Sequence, residues 1–243
     1  MNEIITIASG TWKNVLRMKV VYFLIFCALV LVASAINYDV LSMGLHKELM
    51  IDVALVLNSI AALLVVISLT FEIPKELREG VASTLLAKPL GRFQYQLGKM
   101  IGCVVAGAVI CFLIAIGSFI VFNISFAQRI DVTMFQSHLL IILALIPMSA
   151  LGVLFAVLLP EVIAPIITVV VVWFAFSTKF LSNIWGLYGG ILPDLDLFNF
   201  KANAVYQVSI PWMYILLVAV WGICYAAFAL SLASIIFERK DIK

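Results

Sequence analysis

Apolar runs of about twenty residues recur six times along this chain, and that recurrence constrains its fold more than any other feature. A helix needs roughly 20 apolar residues, range about 17–25, to cross the hydrocarbon of a bilayer. Such runs are read at 20–36, 53–71, 100–124, 139–159, 162–180 and 212–237. The fourth and fifth are parted only by Pro160 and Glu161, which predicts a tight hairpin or a broken helix, since proline fixes φ and lacks an N–H. The fold class expected is an all-α membrane protein forming one transmembrane domain over residues 1–243.

Composition agrees. The 243 residues are 65% hydrophobic and 12% charged, whereas a soluble domain is about 45–50% apolar and about 25% charged. Such a chain cannot cover its own surface with polar groups in water. Its longest mainly polar stretch runs over 71–99, which leaves no room for a large catalytic domain, so any such domain is expected on another chain. The net charge of +2 argues against nucleic acid as a partner. Cys27, Cys103, Cys111 and Cys224 all lie within apolar runs and read as free residues rather than a disulfide framework. Glu3 and a semi-polar stretch precede the first run, so no cleavable signal peptide is expected.

The placement of the basic residues sets an orientation. Lys13, Arg17 and Lys19, then Lys75, Arg78, Lys88, Arg92 and Lys99, then Arg239, Lys240 and Lys243 fall on one side of the six runs. Only Lys47, Arg129, Lys179 and Lys201 fall on the other. Short basic loops stay in the cytosol, so both termini are expected there, and six crossings satisfy that parity.

Residues 1–19 suit a helix lying in the cytosolic interface, with Ile4, Ala8, Trp12 and Val15 on one face and Lys13 and Arg17 on another. Residues 182–211 hold Trp185 and Tyr188 among Gly189, Gly190 and Pro193, with Trp212 and Tyr214 just beyond. This reads as short outer re-entrant helices within an aromatic belt. Asp194 and Asp196 are read as a solvated turn ahead of a cation or partner site.

Enzyme signatures are missing. His46 and His138 are the only histidines, both expected outside, and neither belongs to a His-Glu-x-x-His zinc motif. No Gly-x-Ser-x-Gly elbow occurs. Gly98-Lys99-Met100 lacks the hydroxyl residue and the earlier glycine of a phosphate-binding loop. No acidic residue sits at mid-run, which argues against an ion path through this chain alone.

The loop 72–99 is the informative segment. Pro74 suits a first helical turn, with Glu76 and Glu79 at that positive end. Leu77, Val81 and Leu85 make one apolar stripe, and Pro89-Leu90-Gly91 ends it. A short amphipathic helix, about 75–88, is therefore expected below the membrane, where it is a natural lever between two spans. Gly98, Gly102 and Ala106 follow at the spacing that lets helices approach closely, with packing inside the chain expected ahead of a dimer contact.

Glu72, then Glu79-Gly80, Leu85-Leu86, Lys88-Pro89-Leu90, Arg92, Tyr95 and Gly98-Lys99 form an ordered pattern. It resembles the permease subunits of type-two ABC exporters, and most of all those annotated in multi-copper enzyme maturation, such as the nitrous-oxide reductase accessory transporter. The stretch Leu192-Pro193-Asp194-Leu195-Asp196-Leu197-Phe198-Asn199 and the ending Phe237-Glu238-Arg239-Lys240-Asp241 are similar as well. The resemblance implies two paired permeases, copies or relatives, in a prokaryotic plasma membrane. Two separate ATPase subunits would carry ATP and magnesium, with no cofactor on this chain. It implies that the loop helix sits in an ATPase groove, with Glu72, Glu76, Arg78, Glu79, Gly80, Lys88, Pro89 and Arg92 as its coupling residues and Glu161 as a second contact. Glu79 and Gly80 lead that set; a solvated helix charge is the plainer reading of Glu79, and lipid-phosphate anchoring that of Arg92 and Lys99. An alternative within the same class is a mechanical or scaffold subunit that drives an outer partner protein without moving a solute.

Overall fold

The computed structural model describes residues 2–35, 45–80, 91–126, 131–178 and 193–239. All regular structure among the described residues is helical: α1 Asn2–Arg17, α2 Lys19–Ser34, α3 His46–Arg78, α4 Arg92–Phe126, α5 Val132–Leu158, α6 Ile163–Ala175, a 3-10 turn Leu195–Phe198, α7 Lys201–Val205 and α8 Trp212–Glu238. Four of these, α3, α4, α5 and α8, are long and apolar enough to cross a membrane, and a fifth crossing follows if α1 and α2, bent by 59°, count as one span. The all-helical class and the multiple apolar spans stand. Six separate crossings do not follow from helix length, because α6 has 13 residues and at 1.5 Å per residue measures about 20 Å, against a hydrocarbon core of about 30 Å.

The helix α5 is the axis of the bundle. Its most apolar window is 78% buried, the highest share among the four long helices, and α3, α4, α6 and α8 all pack on it. Small residues make the close contacts. Along α8 the buried Gly222, Ala226, Ala229 and Ala233 form one stripe, with Gly222 against Phe198 and Pro147. With no hydrophobic drive between helices in lipid, such close packing is what holds them.

The helix α3 begins at His46 and runs unbroken through Pro74 to Arg78, 33 residues in all. Pro74 therefore lies inside this helix and does not open a new one. Proline is tolerated inside a long apolar helix packed among others, and Pro74 is buried. The helix ends where Glu79 caps it and Gly80 takes φ 72°, the left-handed conformation that glycine adopts without a Cβ penalty. Residues 75–78 thus extend a bundle helix. Residues 81–90, with Lys88 and Pro89, lie outside the described residues, as do 179–192.

The helix α1 packs along α4 and buries Ile7, Thr11 and Val15, one position round from the face expected from sequence. Its partners are the small residues of α4: a Cβ on Gly98 would meet Ile7 at 2.9 Å, and one on Gly102 would meet the Ala8 carbonyl oxygen at 2.6 Å. Ala106, one step further, is fully buried. Gly98 and Gly102 are therefore used inside the chain, to seat α1.

Candidate functional site

The end of the bundle where the basic residues gather holds a buried charged cluster. Glu72 and Glu76 lie one turn apart on α3, and Tyr95 and Lys99 one turn apart on α4, so two helical rungs face each other. Lys99 Nζ donates to Glu72 Oε1 at 2.8 Å and to Glu76 Oε1 at 2.5 Å. Tyr95 Oη donates to Glu76 Oε2 at 2.6 Å, and Asn14 Nδ2 on α1 donates to Glu72 Oε1 at 2.9 Å. The Lys99 side chain is 4% exposed and the two carboxylates 11% and 16%. Lys99 thereby ties α4 to α3, and Asn14 adds α1 through Glu72.

This arrangement revises the sequence expectation for these residues. Glu72 and Glu76 are turned inward onto Lys99, not out toward a partner. Lys99 does not anchor to lipid phosphates. Arg92 too reaches a protein group: its guanidinium donates to the Phe237 carbonyl and lies over the Phe237 ring at 5.4 Å. One turn on, Gln96 donates to the Ala233 carbonyl at 3.2 Å. Both lock α4 to the last turns of α8.

Beside the cluster lies an open groove of about 480 Å³, formed by Pro74, Leu77 and Arg78 of α3 and by 159–163 of the α5–α6 turn. Arg78 reaches across it to Glu161 at 2.6 Å, with the arginine side chain 67% exposed. The end of α3 and the Pro160-Glu161 turn, 83 positions apart in sequence at this pair, thus share one surface feature. Glu79 is exposed beside it.

The far end of the bundle holds neutral polar groups that sequence reasoning missed. His138, expected on the outer side of the membrane, has its side chain buried between α3, α4 and α5. Asn58 Nδ2 lies 2.7 Å from His138 Nδ1, and Ser118 Oγ lies 3.4 Å from His138 Nε2. Ser118 itself donates to the Ala115 carbonyl at 2.8 Å. Asn58 donating to Nδ1 leaves the ring proton on Nε2, where Ser118 can accept it, so the chain of bonds suits a neutral imidazole. The signal in the sequence was Gln136-Ser137-His138, three polar residues at the mouth of an apolar run. All three turn inward: Gln136 pairs with both backbone groups of Ile210, at 2.8 and 3.2 Å, and Ser137 donates to the Phe200 carbonyl at 3.0 Å.

These bonds seat residues 193–211 on α5. Thr178 donates to Asp194 at 2.5 Å, and Asn199 donates to Asp196 at 3.3 Å, so both aspartates brace this segment and are not a solvated turn. Between it and α3 opens a cleft of about 540 Å³ with Glu48, Asp52, Asn199 and Lys201 in its walls. Burial pulls the Lys201 ammonium below the usual lysine range, and Asp52 partly opposes that.

No family model matches this chain, and no curated protein sequence matches it. The functional reading therefore rests on the geometry above and on the sequence pattern of the loop.

Proposed function

We propose that the chain is the permease subunit of an ATP-driven transporter of the type-two ABC exporter kind, with six spans and both termini in the cytosol of a prokaryote. In this reading the basic end faces the cytosol. The apolar run at 20–36 makes one crossing with α1 lying at its cytosolic end, and the apolar run at 162–180 makes another. Two ATPase subunits dock below a pair of permeases. The observation that carries the reading is the groove at that end. The end of α3 and the α5–α6 turn, the two elements expected to meet an ATPase, are brought together by Arg78 and Glu161. A push on either would be felt by both.

The buried cluster explains how such a push would spread. Lys99 binds α3 to α4, Asn14 adds α1, and Arg92 and Gln96 add α8. Helices coupled in this way move as a unit, which is what alternating access between rigid bundles needs.

A second reading keeps the ATPase and drops the solute: a mechanical subunit acting on an outer partner protein. It is favoured by the packed interior, where the slit beneath the outer cleft narrows to about 10 Å³ between Ser59, Met148 and Phe198.

The test is affinity purification of the tagged chain in gentle detergent, with mass spectrometry of what accompanies it. An ATPase with a phosphate-binding loop in one-to-one ratio is expected, and a third protein from outside would favour the mechanical reading. Recovery of the chain alone, under conditions that preserve ABC complexes, would overturn both. In the complex, Glu79→Ala is expected to lower ATPase stimulation without affecting insertion.

A further inference from the structure

The first half of α2 stands away from α3. Between them lies an apolar crevice of about 390 Å³, walled by Val21 and Leu24 on one side and Leu64, Ser68 and Phe71 on the other, with Met18 at its mouth. Further along α2, Ala28 and Val32 are buried, whereas Val20 beside the crevice is exposed. The crevice is therefore a wedge that opens toward the α1–α2 bend.

In water such a wedge would collapse or fill. Beside hydrocarbon it has one natural occupant, because an unfilled apolar gap forfeits dispersion contacts on every wall and a lipid chain restores them. The mouth has a charge character of its own. Arg17 and Lys19 flank Met18, and Lys75 follows Phe71 one turn later on the same face of α3; all three are exposed. Glu72, the carboxylate nearest in sequence to Phe71, is committed to Lys99 and Asn14. An apolar wedge of this size, with exposed basic residues next to its lining residues Met18 and Phe71, suits an occupant with an acyl chain and an anionic head.

We propose that this crevice is a binding site for one anionic phospholipid, its acyl chain lying between α2 and α3 and its phosphate near Arg17, Lys19 and Lys75. The inference rests on the multi-pass membrane reading and is independent of the ATPase reading. A lipid there would wedge the α1–α2 bend open and hold the angle at which α1 reaches α4.

The experiment is native mass spectrometry of the purified full chain, stripped of lipid and reloaded with phosphatidylglycerol or with phosphatidylcholine. The wild type is expected to retain one phosphatidylglycerol in preference to phosphatidylcholine. Arg17→Gln with Lys19→Gln, both exposed positions that leave folding intact, is expected to weaken that retention about tenfold or more, as two basic residues near a membrane surface allow. Ser68→Phe, which fills the wedge, is expected to abolish retention of either lipid. Equal retention of the two lipids by the wild type, or undiminished phosphatidylglycerol binding by the double variant, would overturn the site. Failure of the wild type to float with vesicles of either lipid would instead overturn the membrane reading itself.

Discussion

Glu76 and Arg78 are two residues apart on α3, yet their ion pairs are different objects. Glu76 shares the buried Lys99 with Glu72, and each carboxylate has a further donor, Tyr95 or Asn14. Arg78 meets Glu161 as a single pair at the protein surface. Charges out of water must be fully paired to be tolerated, and breaking such a set strands the remainder. An exposed pair adds about 0–1 kcal/mol and can open and close at little cost. One end of one helix thus carries a brace and, half a turn later, a contact free to exchange partners. In the proposed permease reading, a subunit that receives force from an ATPase needs both.

The brace can be broken most severely at its centre. Lys99→Met leaves two inward-facing carboxylates without a counter-charge and is expected to cost about 3–5 kcal/mol. Thermal unfolding in detergent should show a large drop or no recoverable folded protein. Near-wild-type stability would mean that the cluster is not the junction of α1, α3 and α4.

The carboxylates sharpen the same point. Two acids on one ammonium leave an excess negative charge, so either Glu72→Gln or Glu76→Gln alone leaves a balanced pair. Each single change is expected to cost about 1.5–3 kcal/mol, the worth of one hydrogen bond to a charged group. The double change strands a buried Lys99 and is expected to cost clearly more than the sum. A double-mutant cycle checks this, and strict additivity would show that the carboxylates act independently.

Against the charged brace stands the neutral network at the far end. His138→Leu removes an acceptor from Asn58 and leaves a buried amide group unsatisfied, so about 1–3 kcal/mol is expected to be lost. Adding Asn58→Leu should recover part of it, because removing both partners relieves the orphaned group. No recovery in the double variant would show that the cost lies in packing.

Much of this fold was legible in the chain. Apolar runs marked the long helices, and the Gly98-Gly102-Ala106 spacing marked the close approach that α1 fills. What was not legible was pairing across distance. A lysine at the end of an apolar run reads the same whether it meets a phosphate or a carboxylate 27 positions away, and Lys99 meets Glu72. Pro74 misled because its preference for a first turn is a local rule, whereas its place inside α3 is set by neighbouring helices. The burial of His138 was not legible because a residue two turns inside α5 sits, in sequence, just before an apolar run. The candidate groove was visible only as two separate segments; Arg78 and Glu161 join once α3 and α5 are packed.

The smallest stability effect and the sharpest functional one are expected at that groove. Arg78→Ala removes an exposed pair, so the unfolding temperature should change by no more than about 1 kcal/mol of stability implies. The chain should insert and purify normally. If the groove is the seat of an ATPase element, the same change should weaken coupling in the assembled complex. Glu161→Arg, which reverses the partner charge, should do so more strongly, and joining it to Arg78→Glu should restore the pair but not a contact tuned to a third protein. Stability and coupling then separate: a variant that keeps its fold and loses stimulation places Arg78 at a docking surface. A variant that loses both in proportion makes Arg78–Glu161 one more brace, and the contrast between the two halves of this helix end disappears.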